Sequence, residues 1–296
     1  MRTRLFAAPA LVAAAALMLT ACVDNTSPNA GTEGESTSNV GVDEAAVALL
    51  PDEIAEAGVL IVGTDAAYPP NEYKDADGNP IGWDVDLVDA LGEKLGLEIE
   101  YQIASFDKII PSITGGTMDM GMSSFTDNAE RQKQVDFVDY YTAGILWAAP
   151  TGSDVDPNNA CGLKVAVQAT TVEHTDELPA KSKACTDAGQ PAIEITPFDT
   201  QDAAANAVVL GQADAMSADS PVTGYAIAQT DGKLEAVGEV FDSAPYGFPV
   251  AKGSELAAAV QAAMQSLIDD GTYGDILTEW GVEAGAVDTI EINAGS

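Results

Sequence analysis

Between residues 59 and 280 the chain alternates short apolar runs with amphipathic stretches, and this alternation limits the folds available to it. Val59–Val62 is typical of a buried strand, whereas Asp84–Leu95 places its apolar residues on one face of a helix. Such alternation indicates parallel sheets covered by helices. The same pattern predicts further strands at Leu97–Ile103, Met118–Met122, Lys164–Val167, Ala192–Ile195 and Ala213–Met216, and further helices at Phe106–Ile113, from Thr171, and at Ala203–Leu210, Ser254–Asp270 and Thr272–Trp280.

The predicted elements fall into two series. Tyr141–Pro150 separates them, and a second connection near Ala244–Lys252 returns the last helices to the first series. We therefore predict an α/β fold of two lobes, with two parallel or mixed sheets joined by two crossing strands. The expected divisions are residues 51–147 for the first part of lobe 1, 148–245 for lobe 2 and 246–296 for the C-terminal part of lobe 1.

Residues 1–21 have the features of an export signal. Arg2 and Arg4 form a charged start, and the apolar stretch Leu5–Leu19 is too short to span a membrane comfortably. No later segment is long and apolar enough to span one either. The sequence therefore predicts an exported protein.

A cysteine follows directly after this signal. The run Leu19–Cys22 resembles a bacterial lipobox, which implies that Cys22 is lipidated and becomes the first residue of the mature chain. An ordinary cleavage site beside a chance cysteine is the alternative. Residues 22–50 are expected to form a polar, flexible tether and the start of a lead-in helix. The protein would then be anchored by its lipid to the outer face of the cytoplasmic membrane.

The mature chain is strongly acidic. Without Arg2 and Arg4 it keeps 10 of its 12 Lys and Arg residues against 47 Asp and Glu, a balance of −37. A phosphate backbone would be repelled, so we expect no nucleic-acid partner. Anionic lipid surfaces would be repelled as well, so attachment to the membrane should depend on the lipid anchor.

Arg131 is the only arginine that remains after the signal is removed. A guanidinium is planar, always charged and weakly hydrated, which suits it to a two-pronged contact with a carboxylate. Arg131 also follows a run of small hydroxyl residues. It therefore predicts an anion site, and a surface ion pair with a neighbouring acid is the alternative.

Polar and aromatic residues follow five of the predicted strands. Ligands of open parallel sheets lie beyond the carboxyl ends of the strands, so a cleft between the lobes would collect these side chains. Together they suit an α-amino acid: hydroxyls and helix-start amides for the carboxylate, an acid for the ammonium, and aromatic rings for the stem. As alternatives, Asp219 caps a helix that starts near Pro221, and Phe106 is a core residue. The residues concerned are Asp65, Tyr68, Phe106, Ser123, Ser124, Thr126, Ala169, Thr170, Thr171 and Asp219.

Several short motifs resemble, in order and spacing, those of the bacterial solute-binding proteins of family 3, which deliver polar amino acids to ABC importers. The resemblance extends over about Leu60–Trp280. It implies a two-lobed periplasmic-binding-protein-like fold of type II that closes around its ligand. The motifs are Gly63–Pro70, Gly82–Leu87, Phe106–Pro111, Ser123–Arg131, Gly211–Ala215 and Asp270–Gly274.

The resemblance also implies a role for each candidate site residue. Arg131 would bind the α-carboxylate and Asp219 the α-ammonium, while Asp65 would lie near the tip of the ligand side chain. Aromatic walls and further donors would complete the site, and they are Tyr68, Phe106, Ser124, Thr126, Ala169 and Thr171. The implied protein is a monomer without cofactor or enzymatic activity. It captures a polar or basic α-amino acid and passes it to an ABC permease in the membrane.

With Cys22 assigned to the lipid, Cys161 and Cys185 form an even pair in an exported chain. This favours a disulfide, and two buried thiols are the alternative. A metal site is not expected, because the chain has one histidine and no closely spaced cysteines.

Two other functions remain open from the sequence. One is an enzyme on the same fold, such as a dehydratase that acts on a cyclic amino acid, since carboxylates are plentiful. The other is a lipoprotein that senses a ligand and reports it to another protein. Asp65 and Glu72 hint at a basic or amide ligand side chain, unless both face solvent.

Overall fold

The structure is a computed structural model that describes residues 40–296. The predicted signal, Cys22 and most of the tether lie outside the described residues. The strands are β1 (Val59–Thr64), β2 (Ala67–Tyr68), β3 (Glu72–Lys74), β4 (Pro80–Ile81), β5 (Glu98–Ile103), β6 (Met120–Gly121), β7 (Val135–Pro150), β8 (Lys164–Gln168), β9 (Glu194–Phe198), β10 (Ala215–Asp219), β11 (Leu234–Ala251) and β12 (Glu291–Ile292). The α-helices are α1 (Glu44–Val47), α2 (Asp52–Ala57), α3 (Trp83–Leu95), α4 (Phe106–Thr114), α5 (Leu178–Asp187), α6 (Gln201–Val209), α7 (Ser220–Gln229), α8 (Leu256–Asp270) and α9 (Thr272–Trp280).

Nine strands form one sheet in the order β5-β1-β6-β11-β7-β10-β8-β9, and β12 adds to β7. β1 is parallel to β5 and β6 at one end of the sheet, and β8 is parallel to β9 and β10 at the other. We call the part built on β5, β1 and β6 the first lobe and the part built on β10, β8 and β9 the second lobe. A separate antiparallel sheet of β2, β3 and β4 belongs to the first lobe.

The strands β7 and β11 run antiparallel through both lobes, and they connect the two parallel groups into one hydrogen-bonded sheet. β11 pairs with β6 of the first lobe at Val250, whereas β7 pairs with β10 of the second lobe over Ile145–Ala148. The register between β7 and β11 shifts between Val237 and Ala244 and again after Tyr246. The two predicted crossing connections are therefore parts of two longer strands, and the predicted two-lobed α/β fold is confirmed.

Helix α3 shows why the first lobe folds as predicted. Its apolar residues recur at helical spacing, and all five on the predicted face are buried against β1, α8 and α9. Full burial of each such side chain stabilises the fold by about 1.5–3 kcal/mol. These residues are Val85, Leu87, Val88, Leu91 and Leu95.

The lead-in segment before β1 forms two short helices rather than one. α1 ends at Val47 and α2 begins at Asp52, directly after Pro51. Proline has no backbone N–H to donate within a helix, but its fixed φ suits a helix start. Within residues 40–296, none of the helices combines the length and the apolar character needed to cross a membrane.

The second lobe contains the predicted disulfide. Cys161 and Cys185 are bonded, with their Cα atoms 5.5 Å apart. The bond ties the segment before β8 to helix α5, and Cys185 is buried among apolar side chains of the second lobe. Neither cysteine lines the cavity between the lobes that is described below.

Removing this disulfide should destabilise the protein without affecting its ligand site. The bond joins residues 24 positions apart, and closing a loop of this length stabilises a fold by roughly 3–4 kcal/mol in the chain-entropy model. We expect C161A/C185A to lose free energy of unfolding of about this size, measured by urea titration with circular dichroism. Ligand affinity, measured by calorimetry, should stay unchanged. A loss below about 1 kcal/mol would contradict the prediction.

Candidate functional site: a cavity between the lobes

The carboxyl ends of the parallel strands in both lobes meet around one cavity with an empty volume of about 310 Å³. The first lobe contributes residues that follow β1, β5 and β6, and the second lobe contributes residues that follow β8 and β10. Eight of the nine predicted ligand-binding residues line this cavity, the exception being Ala169. The full lining is Asp65, Tyr68, Glu72, Phe106, Ser123, Ser124, Thr126, Arg131, Gln168, Thr171, Val172, Glu173 and Asp219.

Arg131 lies at the start of a short 3₁₀ turn, Arg131–Lys133, and its side chain is half-buried. Its Nη1 donates to the carbonyl oxygen of Thr126 at 2.8 Å, and its Nη2 donates to that of Thr170 at 3.3 Å. The guanidinium also stands 5.4 Å from the ring centre of Phe106. These contacts fix a positive charge at the cavity wall.

The alternative of a surface ion pair is not what the structure shows. None of the ion pairs formed within residues 40–296 includes Arg131. Burial lowers the pKa of the guanidinium, and the nearby carboxyls of Glu173 and Asp219 oppose this effect. The side chain therefore keeps its charge and faces the cavity, where an anion can approach it.

Asp219 ends β10 and occupies the N-cap position of α7, but its carboxyl does not cap that helix. Instead its Oδ2 accepts a hydrogen bond of 2.7 Å from the Tyr68 hydroxyl. Burial raises the pKa of Asp219 to about 6, and the hydrogen bond from Tyr68 partly opposes this. The sequence alternative of a helix cap is thus excluded, and the acid is oriented towards the cavity.

Asp65 and Glu72 both line the cavity and are buried. The sequence had not decided whether these two acids face the ligand or the solvent. Asp65 Oδ2 accepts from Gln168 Nε2 at 3.0 Å and from the Phe106 amide at 3.3 Å. Burial raises the pKa of Asp65 to about 6. Glu72 accepts hydrogen bonds from the hydroxyls of Ser123 and Ser124 at 2.8 and 3.1 Å.

A second buried acid lies behind Glu72. Asp84 accepts from Tyr140 at 2.8 Å, and its Oδ2 lies 3.2 Å from the Ser124 hydroxyl oxygen, so the single Ser124 proton is shared between Glu72 and Asp84. Burial and the charge of Asp84 raise the pKa of Glu72 well above its usual value. The Ser123 and Ser124 hydroxyls are therefore donors to this acid pair, whereas the sequence assigned such hydroxyls to a ligand carboxylate.

Ala169 lies outside the cavity because of hydrogen bonds that could not be predicted from the sequence. Its N–H donates to the carbonyl oxygen of Phe198 on β9 at 2.8 Å, and the next amide, that of Thr170, donates to His174 Nδ1 at 3.1 Å. The helical turn itself begins later, at Glu173. Two of the amides expected at an anion-binding helix start are thus already paired, and of residues 169–171 it is Thr171 that lines the cavity.

Three residue pairs form hydrogen bonds between the lobes across the cavity. They run from Tyr68 to Asp219, from Gln168 to Asp65 and from Arg131 to Thr170. Each joins a first-lobe residue to a second-lobe residue, and most of these groups also line the cavity. The hydrogen bonds of groups that can bind a ligand here therefore depend on how the two lobes lie relative to each other.

Two polar lining residues, Gln168 and Glu173, were not identified from the sequence. Gln168 is the last residue of β8, a position from which a side chain reaches the binding edge. Glu173 lies two residues after Thr171 and has 1% of its surface exposed. Strand-end position was the available signal for Gln168, whereas helical periodicity alone does not separate Glu173 from the exposed Thr175 and Asp176 of the same turn.

Comparison with known proteins identifies the family. The model of the bacterial extracellular solute-binding proteins, family 3, matches residues 60–283. "Arginine-binding protein ArgT" of Corynebacterium glutamicum is 45% identical over 248 residues, which are 83% of this chain and 82% of that protein. "L-arginine-binding protein" of Pseudomonas aeruginosa is 32% identical over 249 residues, 80% of this chain and 93% of that protein.

A solved structure agrees with these relatives. It is described as "An ancestral arginine-binding protein bound to arginine" and is 35% identical, with a TM-score of 0.69. It covers 75% of this chain, and the match includes 98% of that structure. The resemblance inferred from the sequence motifs is confirmed, and so is a binding rather than an enzymatic role. The chain belongs to the bacterial extracellular solute-binding proteins, family 3.

Proposed function

We propose that this protein is the extracytoplasmic substrate-binding component of an ABC importer and that it captures a basic α-amino acid, with L-arginine as the first candidate. The observation that carries the proposal is the acidic composition of the cavity lining: four carboxyl groups face one guanidinium. A ligand that pairs with these groups carries an anionic group for the guanidinium and at least two cationic groups for the acids. Arginine and lysine have this charge pattern at neutral pH.

The geometry supports one orientation of such a ligand. Arg131 would bind the α-carboxylate, with Thr126 and Thr171 beside it, because it is the only cation of the lining. Asp219, on the opposite lobe, would bind the α-ammonium. This arrangement places the two ends of the amino-acid backbone against different lobes.

The remaining lining residues would hold the ligand side chain. The rings of Tyr68 and Phe106 would flank its aliphatic part, and Asp65 and Glu72 would receive its cationic end. A guanidinium offers five N–H donors in a fixed fork, which suits two neighbouring carboxyls. The printed names of the relatives, arginine-binding proteins, agree with this assignment.

Ligand contact with both lobes would favour the closed arrangement. A ligand shifts such an equilibrium only by its difference in affinity for the two states. A permease could then distinguish loaded from empty protein by the surface that closure creates. We propose that the protein acts as a monomer, with lobe 1 formed by residues 51–147 and 246–296 and lobe 2 by residues 148–245.

Isothermal titration calorimetry with a panel of amino acids tests the ligand class. We expect L-arginine and L-lysine to bind more tightly than L-glutamine, and L-glutamate not to bind, because a further carboxylate would face Asp65 and Glu72. Binding of L-glutamate in preference to L-arginine, or no binding of any basic amino acid, would disprove the proposal.

The variant Glu72→Gln tests where the side-chain cation lies. It should weaken binding of L-arginine and leave that of L-glutamine within about threefold, because only the charged ligand needs the carboxylate. Asp77→Asn is the matched control, since Asp77 is exposed on the same β3–β4 hairpin. Equal weakening of both ligands would place the cation elsewhere.

Affinity for L-arginine should fall at acidic pH. Burial raises the pKa of both Asp65 and Asp219 to about 6. A cationic ligand favours the ionised form of both, so binding is strongest above this pKa and weakens as protons occupy the carboxyls below it. We expect at least a tenfold loss of affinity between about pH 8 and about pH 5, where arginine itself keeps its charges. Calorimetry across this range would contradict the assignment if affinity stayed constant or rose.

We also propose that Cys22 carries a lipid that holds the mature protein at the outer face of the cytoplasmic membrane. The lipobox-like run Leu19–Cys22 supports this proposal, as does the extracellular family. A single lipid attachment would leave the two lobes free in the aqueous phase, at the end of a polar tether.

Replacing Cys22 with alanine should release the protein from the membrane. We expect the C22A variant, produced in a bacterium that processes lipoproteins, to lose incorporation of a fatty-acid label and to leave the membrane fraction. Both are measured by fractionation and blotting. A C161A/C185A variant, which keeps Cys22, is the control and should stay in the membrane fraction. Retention of label by C22A would contradict the lipidation.

A further inference from the structure

Glu173 is the one acid of the cavity lining that the ligand orientation described above does not use. It lies in the turn Glu173–Glu177 of the second lobe and has 1% of its surface exposed. Its Oε1 has no hydrogen-bond partner among residues 40–296. A buried carboxyl oxygen without a partner costs free energy, so a group that supplies the missing donor would bind there favourably.

The charged groups around Glu173 indicate which ligand group would supply the missing donor. Burial and the charge of Asp219 raise the pKa of Glu173 well above its usual value. The carboxyl of Glu173 is also the largest of the charges that raise the pKa of Arg131. Glu173 therefore lies near both the acid and the guanidinium that would bind the two ends of the amino-acid backbone.

An ammonium group has three N–H donors, whereas Asp219 has only part of its acceptor capacity available. Its Oδ2 already accepts from the Tyr68 hydroxyl at 2.7 Å. Complete pairing of an α-ammonium therefore needs a further acceptor close to Asp219. Glu173 Oε1 is buried, unpaired and in the lining of the same cavity.

We propose that Glu173 Oε1 accepts a hydrogen bond from the ligand α-ammonium beside Asp219, so that two second-lobe acids recognise this group. This inference rests on the proposed binding of a basic amino acid. It adds Glu173 as a second residue that selects for the α-ammonium. It also gives a role to an acid at a buried position where protein groups satisfy only part of its hydrogen bonding.

The test compares two ligands in the full-length protein. L-Arginine has the α-ammonium, and 5-guanidinopentanoate keeps the carboxylate and the guanidinium but lacks it. For Glu173→Gln, which keeps an oxygen acceptor but removes the carboxylate charge, we expect affinity for L-arginine to fall about tenfold or more, because an ionised acceptor binds an ammonium more strongly than a neutral one. Affinity for 5-guanidinopentanoate should change by less than about twofold. Both are measured by calorimetry, with competition for the weaker ligand.

Asp176→Asn is the matched control, since Asp176 lies on the same turn but is exposed, and it should change neither affinity. Because both ligands are measured on one preparation, a partly inactive sample affects both equally. Glu173→Asp provides a second test. Because it keeps a carboxylate, it should keep more of the preference for L-arginine over 5-guanidinopentanoate than Glu173→Gln does.

The outcomes separate this inference from the function on which it rests. If the wild-type protein binds no basic amino acid, the proposed function fails. If the wild type binds L-arginine but Glu173→Gln weakens both ligands equally, or weakens neither, the role of Glu173 is overturned while the function stands. Selective loss of L-arginine supports both.

Discussion

Replacing Arg131 with alanine is expected to abolish amino-acid binding. The guanidinium is the only cation in the cavity lining, so a ligand carboxylate would then be desolvated against four carboxyl groups without a partner. Loss of one member of a buried charged pair costs about 2–5 kcal/mol, and the uncompensated repulsion adds to that cost. We expect a loss of affinity for L-arginine of at least about a thousandfold by calorimetry.

Lys133→Ala is the matched control for this variant. Lys133 lies two residues further along the same turn, where it is exposed and pairs with Glu130 at the surface. Its removal should leave affinity unchanged, because exposed ion pairs contribute little. An unaltered affinity in Arg131→Ala, with a melting curve like that of the wild type, would refute the assignment of the carboxylate site.

Replacing Asp219 with asparagine is expected to weaken ligand binding by about a hundredfold or more. The amide keeps the shape of the side chain and an oxygen that can accept from the Tyr68 hydroxyl, but it cannot offer a negative charge to the ligand α-ammonium. Calorimetry with L-arginine measures the loss. Asp187→Asn, at an exposed ion pair with Lys183 in the same lobe, is the control and should bind normally.

The same substitution should leave the stability of the empty protein nearly unchanged. The pKa of Asp219 in the folded protein, about 6, lies above the ordinary value of 3.8. The folded state therefore holds its proton more tightly than the unfolded chain, and stability declines as pH rises through that pKa. At neutral pH an uncharged amide avoids this loss, so the melting temperature of Asp219→Asn should stay the same or rise. If the variant unfolds instead, Asp219 is structural.

The alternation of strands and helices could be predicted because it depends on local patterns. The face of α3 that carries Leu87 and Leu91 follows from helical spacing, and Pro51 marks the break between α1 and α2. Strand-end positions likewise predicted Asp65 and Asp219 for the cavity, since parallel strands direct their carboxyl ends to one edge. These predictions required no knowledge of which distant segments meet.

Other properties depend on contacts between segments far apart in the chain. Glu72 is fully buried because Ser123 and Ser124, about fifty positions later, donate to it. Ala169 lies outside the cavity because its N–H donates a hydrogen bond to the carbonyl oxygen of Phe198 on β9. Neither the burial of Glu72 nor the exclusion of Ala169 can be predicted from the residues next to it in the sequence.

The sequence by itself determined the two-lobed α/β architecture, the disulfide pair and the family, because periodicity, cysteine count and motif order are properties of the linear chain. Only the tertiary structure decided that four acids face one guanidinium in a single cavity, and that Glu173 is one of them. Burial and charge at such a site arise from the approach of two lobes. They are therefore set by the packing of the whole chain rather than by any one segment of it.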